Sequence, residues 1–443
     1  MRRWQKKALE IVQIARHFKG EFPRPALFEG ATPTARRIVN YWRLAWETYR
    51  LTPIPRSLPA RLCIEATSAC NLACPHCLTG AGEIGRPGGA LSLEFYRQLL
   101  AELANHLWHI EFHNWGEPLL HKRITTMVAE ATARGLSTSL CTNFSLPFDA
   151  GSADALVRSG LKIMGVSIDG ARQETYEQYR VGGQLARVLH NCRLVVDAKR
   201  RLGSPTPRLL WNFHMFAHNV DDVAAARAAA LTLGIPFDVS RGRVVGPDWD
   251  PAERFVAHDA VFPMACYTLF HTAVVYADGS VAPCRGSFYA KDDLGRIAAD
   301  GRPGAASFRD VWRGEGFQTA RRLFRERTAT RDTRERICFN CPALLDWHRY
   351  RDHLGRGGDP ADWRPAYDSN QRFNYFWTRG PVRRGLDESH RRASPRMTRP
   401  LGPSCRGGDA EAAGFRPCQP SAAGRARSTT TMTASTVTGR ASA

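Results

Sequence analysis

The stretch Arg61-Leu62-Cys63-Ile64-Glu65-Ala66-Thr67-Ser68-Ala69-Cys70-Asn71-Leu72-Ala73-Cys74-Pro75-His76-Cys77 joins a short apolar run to three cysteines. Leu62–Ala66 has the length and composition of a buried strand, so the cysteines fall in the loop that leaves its carboxyl end. Spaced three and then two, these thiolates are able to wrap one metal centre from a single loop. A structural zinc site asks for four protein ligands, and no fourth Cys or His at zinc-finger spacing follows nearby. His76 is the nearest candidate, but its neighbours Pro75 and Cys77 strain simultaneous ligation. A three-thiolate loop suits an iron–sulfur cube with one iron left open.

Working outward from this loop, residues from about 60 to 245 alternate apolar runs with helical periodicity. Strands are predicted at Leu62–Ala66, Ile110–His113, Ser137–Thr142, Ile163–Ile168, Leu210–Phe216 and Phe237–Ser240. Helices are predicted at Leu93–His106, Ile124–Arg134, Asp154–Ser159, Gln184–Arg201 and Val220–Leu233, with Gly135, Gly160 and Gly234 where helices should end. Strand then helix, about six times over, predicts a parallel α/β sheet, in which chemistry collects at the carboxyl ends of the strands.

A second cysteine set lies further on. Cys266 is followed by twelve residues, Gly279, four residues and Cys284, and later come Cys338 and Cys341, two residues apart. Asp278-Gly279-Ser280 is a hairpin-turn signal that would bring Cys266 and Cys284 face to face. Four thiolates suit zinc or a second [4Fe-4S] cluster.

The 443 residues are 43% hydrophobic, which excludes a wholly disordered chain, and the length excludes a small disulfide scaffold. The 62 basic and 42 acidic residues give a net charge of +20. Residues 1–50 and 380–443 each carry +7 of it, leaving an ordinary balance between them. Only seven basic residues are Lys, an Arg preference that base composition of the genome explains as well as phosphate binding does. With no basic run interleaved with stacking aromatics, no nucleic-acid partner is expected. No apolar run is long enough to span a bilayer and no secretory signal opens the chain, so a cytoplasmic protein with reduced thiols is expected. Trp4, Ala8, Ile11, Val12, Ala15 and Phe18 recur at helical spacing, and the residues after 380 have the composition of a disordered tail.

Cys70, Cys74 and Cys77 match the C-x3-C-x2-C of radical S-adenosylmethionine (SAM) enzymes, which this chain resembles; His76 stands where that family usually has an aromatic. Further markers sit at successive strand ends. Trp115-Gly116-Glu117-Pro118 resembles the family's GGEP-type motif with Trp in place of the first Gly. Thr142-Asn143-Phe144 resembles its Thr-Asn-Gly, and Ser167-Ile168-Asp169-Gly170 ends the fourth strand. The resemblance implies a partial (β/α)6 TIM-like barrel, α/β in class, with a [4Fe-4S] cluster on the three thiolates chelating SAM. It further implies SAM contacts from Gly116, Glu117, Pro118, Thr142, Asn143, Ser167 and Asp169, with Arg180 as a carboxylate clamp. The second set is similar to a SPASM domain in C-x12-G-x4-C, Leu294-Gly295-Arg296-Ile297 and C-x2-C. Later SPASM cysteine positions hold Trp347 and Arg351, so the shortened "twitch" form is implied, with one auxiliary [4Fe-4S] cluster on Cys266, Cys284, Cys338 and Cys341.

The expected organisation is a helical extension over 1–55, the barrel over 56–255, the auxiliary-cluster domain over 256–350 and a C-terminal extension over 351–443, largely disordered after 380. The implied activity is reductive cleavage of SAM to a 5′-deoxyadenosyl radical that abstracts hydrogen from a small or carbohydrate-like metabolite. Dehydrogenation or epimerisation is expected, with a flavodoxin or ferredoxin as electron donor. Cys63 and Cys192 are expected to be buried apolar groups, and Cys141 is the candidate thiol for returning hydrogen in an epimerase. A peptide-modifying maturase is the alternative, weakened by residues 1–55 reading as helices rather than a winged-helix domain; RNA modification is a further one, drawn from the basic termini.

Overall fold

The computed structural model describes residues 30–242, 249, 251, 266–298, 306–326, 337–339 and 341–357. The expected helix over Trp4–Phe18, the boundary at 255 and the tail after 380 lie outside them. The described residues all belong to one compact unit, Met1–Leu386. Among them no helix is long and apolar enough to cross a membrane.

Six strands follow the predicted alternation: β1 Arg61–Ile64, β2 His109–Glu111, β3 Ser137–Thr142, β4 Ile163–Ser167, β5 Arg208–Met215 and β6 Phe237–Arg241. All pair in parallel with their neighbours in sequence order, as in the expected partial TIM-like barrel. The helices between them are α2 Leu93–Leu103, α3 Ile124–Ala133, α4 Ala150–Arg158, α5 Gln173–Tyr179, α6 Leu185–Arg201 and α7 Val223–Thr232. Before β1 lies α1, Ala35–Tyr49. Gly135, Gly160 and Gly234 do end helices, at φ of +69, +77 and +66, values that cost a side-chain-bearing residue steric energy.

The sheet continues past the six. After the short α8, Tyr267–His271, strand β7 (Thr272–Val275) pairs in parallel with β1 on its far edge. The expected Asp278-Gly279 turn returns the chain as β8, Ser280–Ala282, and β9, Gly295–Arg296, adds a second antiparallel strand. The nine strands run β6-β5-β4-β3-β2-β1-β7-β8-β9. The auxiliary region is therefore built onto the barrel's own sheet. It ends in α9 Phe308–Arg313, α10 Glu315–Glu326 and α11 Pro342–Gly355, the last running through the boundary expected at 350.

Alternation along the strands sorts side chains to two faces. Leu62 and Ile64 of β1 and Leu140 of β3 join the core packed against Phe95, Tyr96, Leu99, Leu100 and Leu103 of α2. Arg61 and Cys63 of β1, and Ser139 and Cys141 of β3, occupy the alternate positions and so face the barrel interior.

Helix α1 is fixed by a single guanidinium. Arg37, 3% exposed, donates five hydrogen bonds to four carbonyls: Ala104 O at 3.3 and 3.0 Å, Thr32 O at 2.6 Å, Gly135 O at 2.8 Å and Arg134 O at 2.7 Å. Arg37→Met keeps the stem but strands those carbonyls, at about 1–3 kcal/mol each where no water replaces the donor. A loss of about 3 kcal/mol or more in urea unfolding, with far-ultraviolet dichroism unchanged before the transition, is the expected outcome.

Candidate active site

The loop after β1 carries the first three thiols beneath the ends of β2, β3 and β4. Gly116 sets how closely the chain can approach it: a Cβ there would lie 1.9 Å from Thr67 O and 2.9 Å from Ala69 O. Glu117 N then donates to Ala69 O at 2.8 Å, fixing the residue before Cys70. Within the loop, Cys77 N donates to Cys74 O at 3.1 Å, and Ala73 N reaches Val181 O at 3.0 Å.

Glu117, 2% exposed, is a strut between strand ends. It accepts from Thr142 Oγ1 at 2.7 Å, Asn143 N at 2.7 Å and Leu119 N at 3.0 Å. Burial pushes its carboxyl up to about 6 against those three donors. Asn143 turns from this strut toward the loop, donating to Asn71 Oδ1 at 3.0 Å and toward Cys70 Sγ at 3.8 Å. Phe144, in the place of the family's Gly, has φ +54 and is fully buried, its ring 4.9 Å from Phe148 edge-on.

Asp169, fully buried, has both carboxylate oxygens engaged: Arg180 Nε donates to one at 2.6 Å and His214 N to the other at 2.7 Å. Burial alone would raise this carboxyl; Arg180 and His214 instead hold it at about 2. Arg180 Nη1 points at Cys74 Sγ, 3.9 Å away. The two residues expected to grip SAM thus hold each other, and Arg180 also lends an N–H to the thiol loop. Ser167 ends β4 half-buried opposite Asn212, and Pro118 opens a 3-10 turn that Glu117 caps.

Burial raises Cys70 to about 11 and also raises Cys74, which Arg180 pulls down. Three soft donors in one loop, with Asn143 and Arg180 N–H groups aimed at two of the sulfurs, fit an anionic iron–sulfur cluster. An aromatic set, His76, Tyr179, Phe216 and Trp249, packs beside them, with His76 edge-on to Trp249 at 4.6 Å.

The second set also gathers. Cys266, Cys284 and Cys338 are pushed up by burial and then by one another and Cys341, Cys284 to about 12. Their leading electrostatic neighbours are thiols, so four thiolates there need a bound cation, which a cluster's iron supplies. Among the described residues no three His, Cys, Asp or Glu side chains converge on one ion-sized position.

The two sets are tied together by Arg86, which sequence reasoning missed, and by Trp115, read there only as a departure from the motif. Arg86, from the loop beyond Cys77, donates to both oxygens of Asp293 at 3.0 Å and to Phe288 O at 3.1 Å, its guanidinium 3.4 Å over Tyr276. Trp115 Nε1 donates to Ser287 O at 3.2 Å and its ring meets Phe288 edge-on at 5.1 Å. Cys63 and Cys192 are fully buried as expected, and Cys141 is half-buried on the interior face beside Asn212.

Sequence profiles agree with this arrangement. That of the Radical SAM superfamily matches residues 64–206, and that of an iron-sulfur cluster-binding domain, SPASM, matches 266–342. The chain belongs to the radical SAM superfamily. Within that superfamily it is 34% identical over 131 residues to the Fe-coproporphyrin III synthase of Methanosarcina barkeri, covering 29% of this chain and 32% of that one. To the mycofactocin maturase MftC of Mycobacterium ulcerans it is 28% identical over 216 residues, 46% of this chain and 55% of that one. These matches span about a third and about half of the relatives' lengths. The crystal structure of Streptococcus suis SuiB aligns with a TM-score of 0.49 at 13% identity, over 66% of this chain and 73% of that one.

Two outcomes test the site. Glu117 is folded with a carboxyl at about 6 against an ordinary 4.5, so its ionisation costs about 2 kcal/mol of stability as pH rises from 4.5 to 6. Glu117→Gln should remove that fall in urea-unfolding free energy, while the opposite gain from Asp169 between about pH 2 and 4 stays. Phe144→Gly relieves a positive φ worth about 1–2 kcal/mol but loses a fully buried ring worth about 3–5 kcal/mol. A net loss of about 1–4 kcal/mol in thermal or urea unfolding is expected.

Proposed function

We propose that this radical SAM enzyme abstracts a hydrogen atom from a substrate held inside the barrel and oxidises it by two electrons. Cys141 and Ser167, both half-buried on the interior face at the ends of β3 and β4, with Asn212 beside Cys141, carry this reading. Cys70, Cys74 and Cys77 would hold a [4Fe-4S] cluster, which with bound SAM would supply on reduction the radical chemistry that takes the hydrogen. The chain's own work is positional. Glu117 and Asn143 hold the strand ends over the loop, and the Asp169–Arg180 pair directs a guanidinium to Cys74. The surrounding strands keep water from the reacting carbon.

Four thiols in the second set leave no open position if each takes one iron, so that site suits electron acceptance rather than substrate ligation. Dehydrogenation follows as the favoured outcome, with a low-potential flavodoxin or ferredoxin as donor. Epimerisation is the second reading, favoured by Cys141: burial raises its thiol to about 12, so it keeps the hydrogen an epimerase must return. The substrate is either a small metabolite or a peptide side chain; relatives named as a mycofactocin maturase and a PqqA peptide cyclase support the peptide form.

Anaerobically reconstituted protein should hold about eight iron per chain, falling to about four in a Cys266→Ala/Cys284→Ala variant and likewise in a Cys70→Ala/Cys74→Ala variant. Under dithionite the first variant still cleaves SAM to 5′-deoxyadenosine and the second does not. Wild-type protein with two clusters that cleaves no SAM would overturn the proposal.

A further inference from the structure

Helix α1 buries one side, where Tyr41 and Leu44 pack with Ala60 and Trp108. Its outer side is apolar as well. Ile38, Val39, Trp42 and Trp46 are 42, 55, 53 and 38% exposed. Ile38, Trp42 and Trp46 follow at steps of four, with Val39 three before Trp42, so they form one stripe along the helix. Both exposed tryptophans among the described residues stand here, and no other helix among those residues shows more than one large exposed apolar side chain.

A row of charge runs beside the stripe. Arg36, Arg43 and Arg50 are exposed and recur every seven residues, so they follow one edge of the helix over about 21 Å. The guanidinium of Arg50 lies 6.0 Å from the Trp46 ring. The one carboxylate of α1, Glu47, is turned inward, where it accepts from Arg56 N, Ser57 N and Ser57 Oγ. Exposed arginines elsewhere find acids, as Arg97 does at Glu130 and Arg201 at Asp154. Among the described residues Arg36, Arg43 and Arg50 pair with none. The sequence upstream, outside the described residues, has the same character: Trp4, Ala8, Ile11, Val12, Ala15 and Phe18 at helical spacing, with Lys6, Lys7 and Arg16 between them.

We propose that the outer face of α1 seats on an anionic lipid surface, its stripe at the level of the headgroups and its arginine row on lipid phosphates. Tryptophan favours that depth, where the ring meets acyl chains and the N–H meets water, and a guanidinium matches a phosphate. The other occupants lack the charge or the fit. A second copy of the chain brings the same face, with three more arginines and no acid, over a patch far smaller than a stable dimer buries. Residues 4–18 add positive charge, since Glu10 is their one acid. Single-stranded nucleic acid has phosphates, but its bases stack on aromatic rings and gain little from Ile38 and Val39. This surface lies outside the barrel, and the proposal does not depend on the radical chemistry.

Flotation of the full-length reconstituted protein tests it, with vesicles of phosphatidylcholine alone or with about one third phosphatidylglycerol. The mixed vesicles should bind about tenfold or more tightly than the neutral ones, and raising salt from about 0.1 to about 0.5 M should remove most of that preference. Arg36→Gln/Arg43→Gln/Arg50→Gln and Trp42→Ser/Trp46→Ser should each weaken mixed-vesicle binding by about tenfold or more. Because the whole chain is basic, the same charge is removed elsewhere as a control. Arg158→Gln/Arg187→Gln/Arg193→Gln, at exposed positions of α4 and α6, should change binding by about twofold or less. A control that loses as much as the α1 triple overturns the proposal, and so do α1 variants that bind vesicles like wild type. A tryptophan variant that keeps vesicle binding but loses a dimer in light scattering, or loses poly(U) binding, assigns the face to a second copy or to RNA and likewise overturns it. If the tryptophan variant does not fold, the arginine triple and its control decide.

Discussion

The pairing of Asp169 with Arg180 is the interaction on which the site depends. Asp169 is out of water altogether, and a buried carboxylate survives only if its charge and lone pairs are answered. Arg180 answers the charge, His214 N and Nδ1 take the other oxygen at 2.7 and 3.1 Å, and Asn219 Nδ2 takes the backbone carbonyl at 2.9 Å. The ends of β4 and β5 and the turn after α5 are thereby locked to one another. Arg180 then reaches Cys74, more than a hundred residues earlier, and carries that order to the thiol loop. An arginine is suited to this: one planar group serves a carboxylate on one edge and a sulfur on another without changing its charge.

Three departures from the family's usual residues have physical reasons here. Trp115, in place of a glycine, spans from the end of β2 to Ser287 and Phe288 behind the second cysteine set. Phe144 adopts the left-handed backbone its glycine counterpart would reach freely, and its buried ring and the bond from its N–H to Thr142 Oγ1 at 2.9 Å offset the strain. His76 joins Tyr179, Phe216 and Trp249 in one aromatic set. Each substitution exchanges local ease for a contact with another part of the molecule.

What was legible in the sequence was local. Periodicity marked all six parallel strands to within a few residues, with Ser137–Thr142 matching in full, because a strand buried on both faces shows as an apolar or small-residue run. Helix α5, seven polar-rich residues long, escaped notice because two turns are too few to show a period. The pairing of β7 with β1 was also hidden, since Thr272–Val275 states its burial but not its neighbour. At the site, Cys70, Cys74 and Cys77 announced themselves by spacing. Arg86 did not, nor did the ion pair of Arg285 with Glu111, because a lone charged residue in a sequence gives no sign of which distant partner will desolvate it. Asp169 and Arg180 were visible as candidates, yet their mutual engagement required the fold.

The arginine preference, 55 of the 62 basic residues, also reads differently once the fold is known. As composition it pointed at most to the genome or to the basic termini. Within the fold, Arg37 satisfies four carbonyls, Arg61 pairs with a buried glutamate, and Arg180 joins a carboxylate to a thiol. Arg321, fully buried, donates to Trp312 O at 2.8 Å and Pro53 O at 3.2 Å while lying 4.2 Å over the Trp312 ring. A lysine has three donors on a point charge and loses more by desolvation, so none of these positions would accept one without leaving acceptors stranded. Whatever the source of the excess, desolvation decides where arginine can be kept. In this chain the cations kept inside are those whose fork finds several acceptors at once.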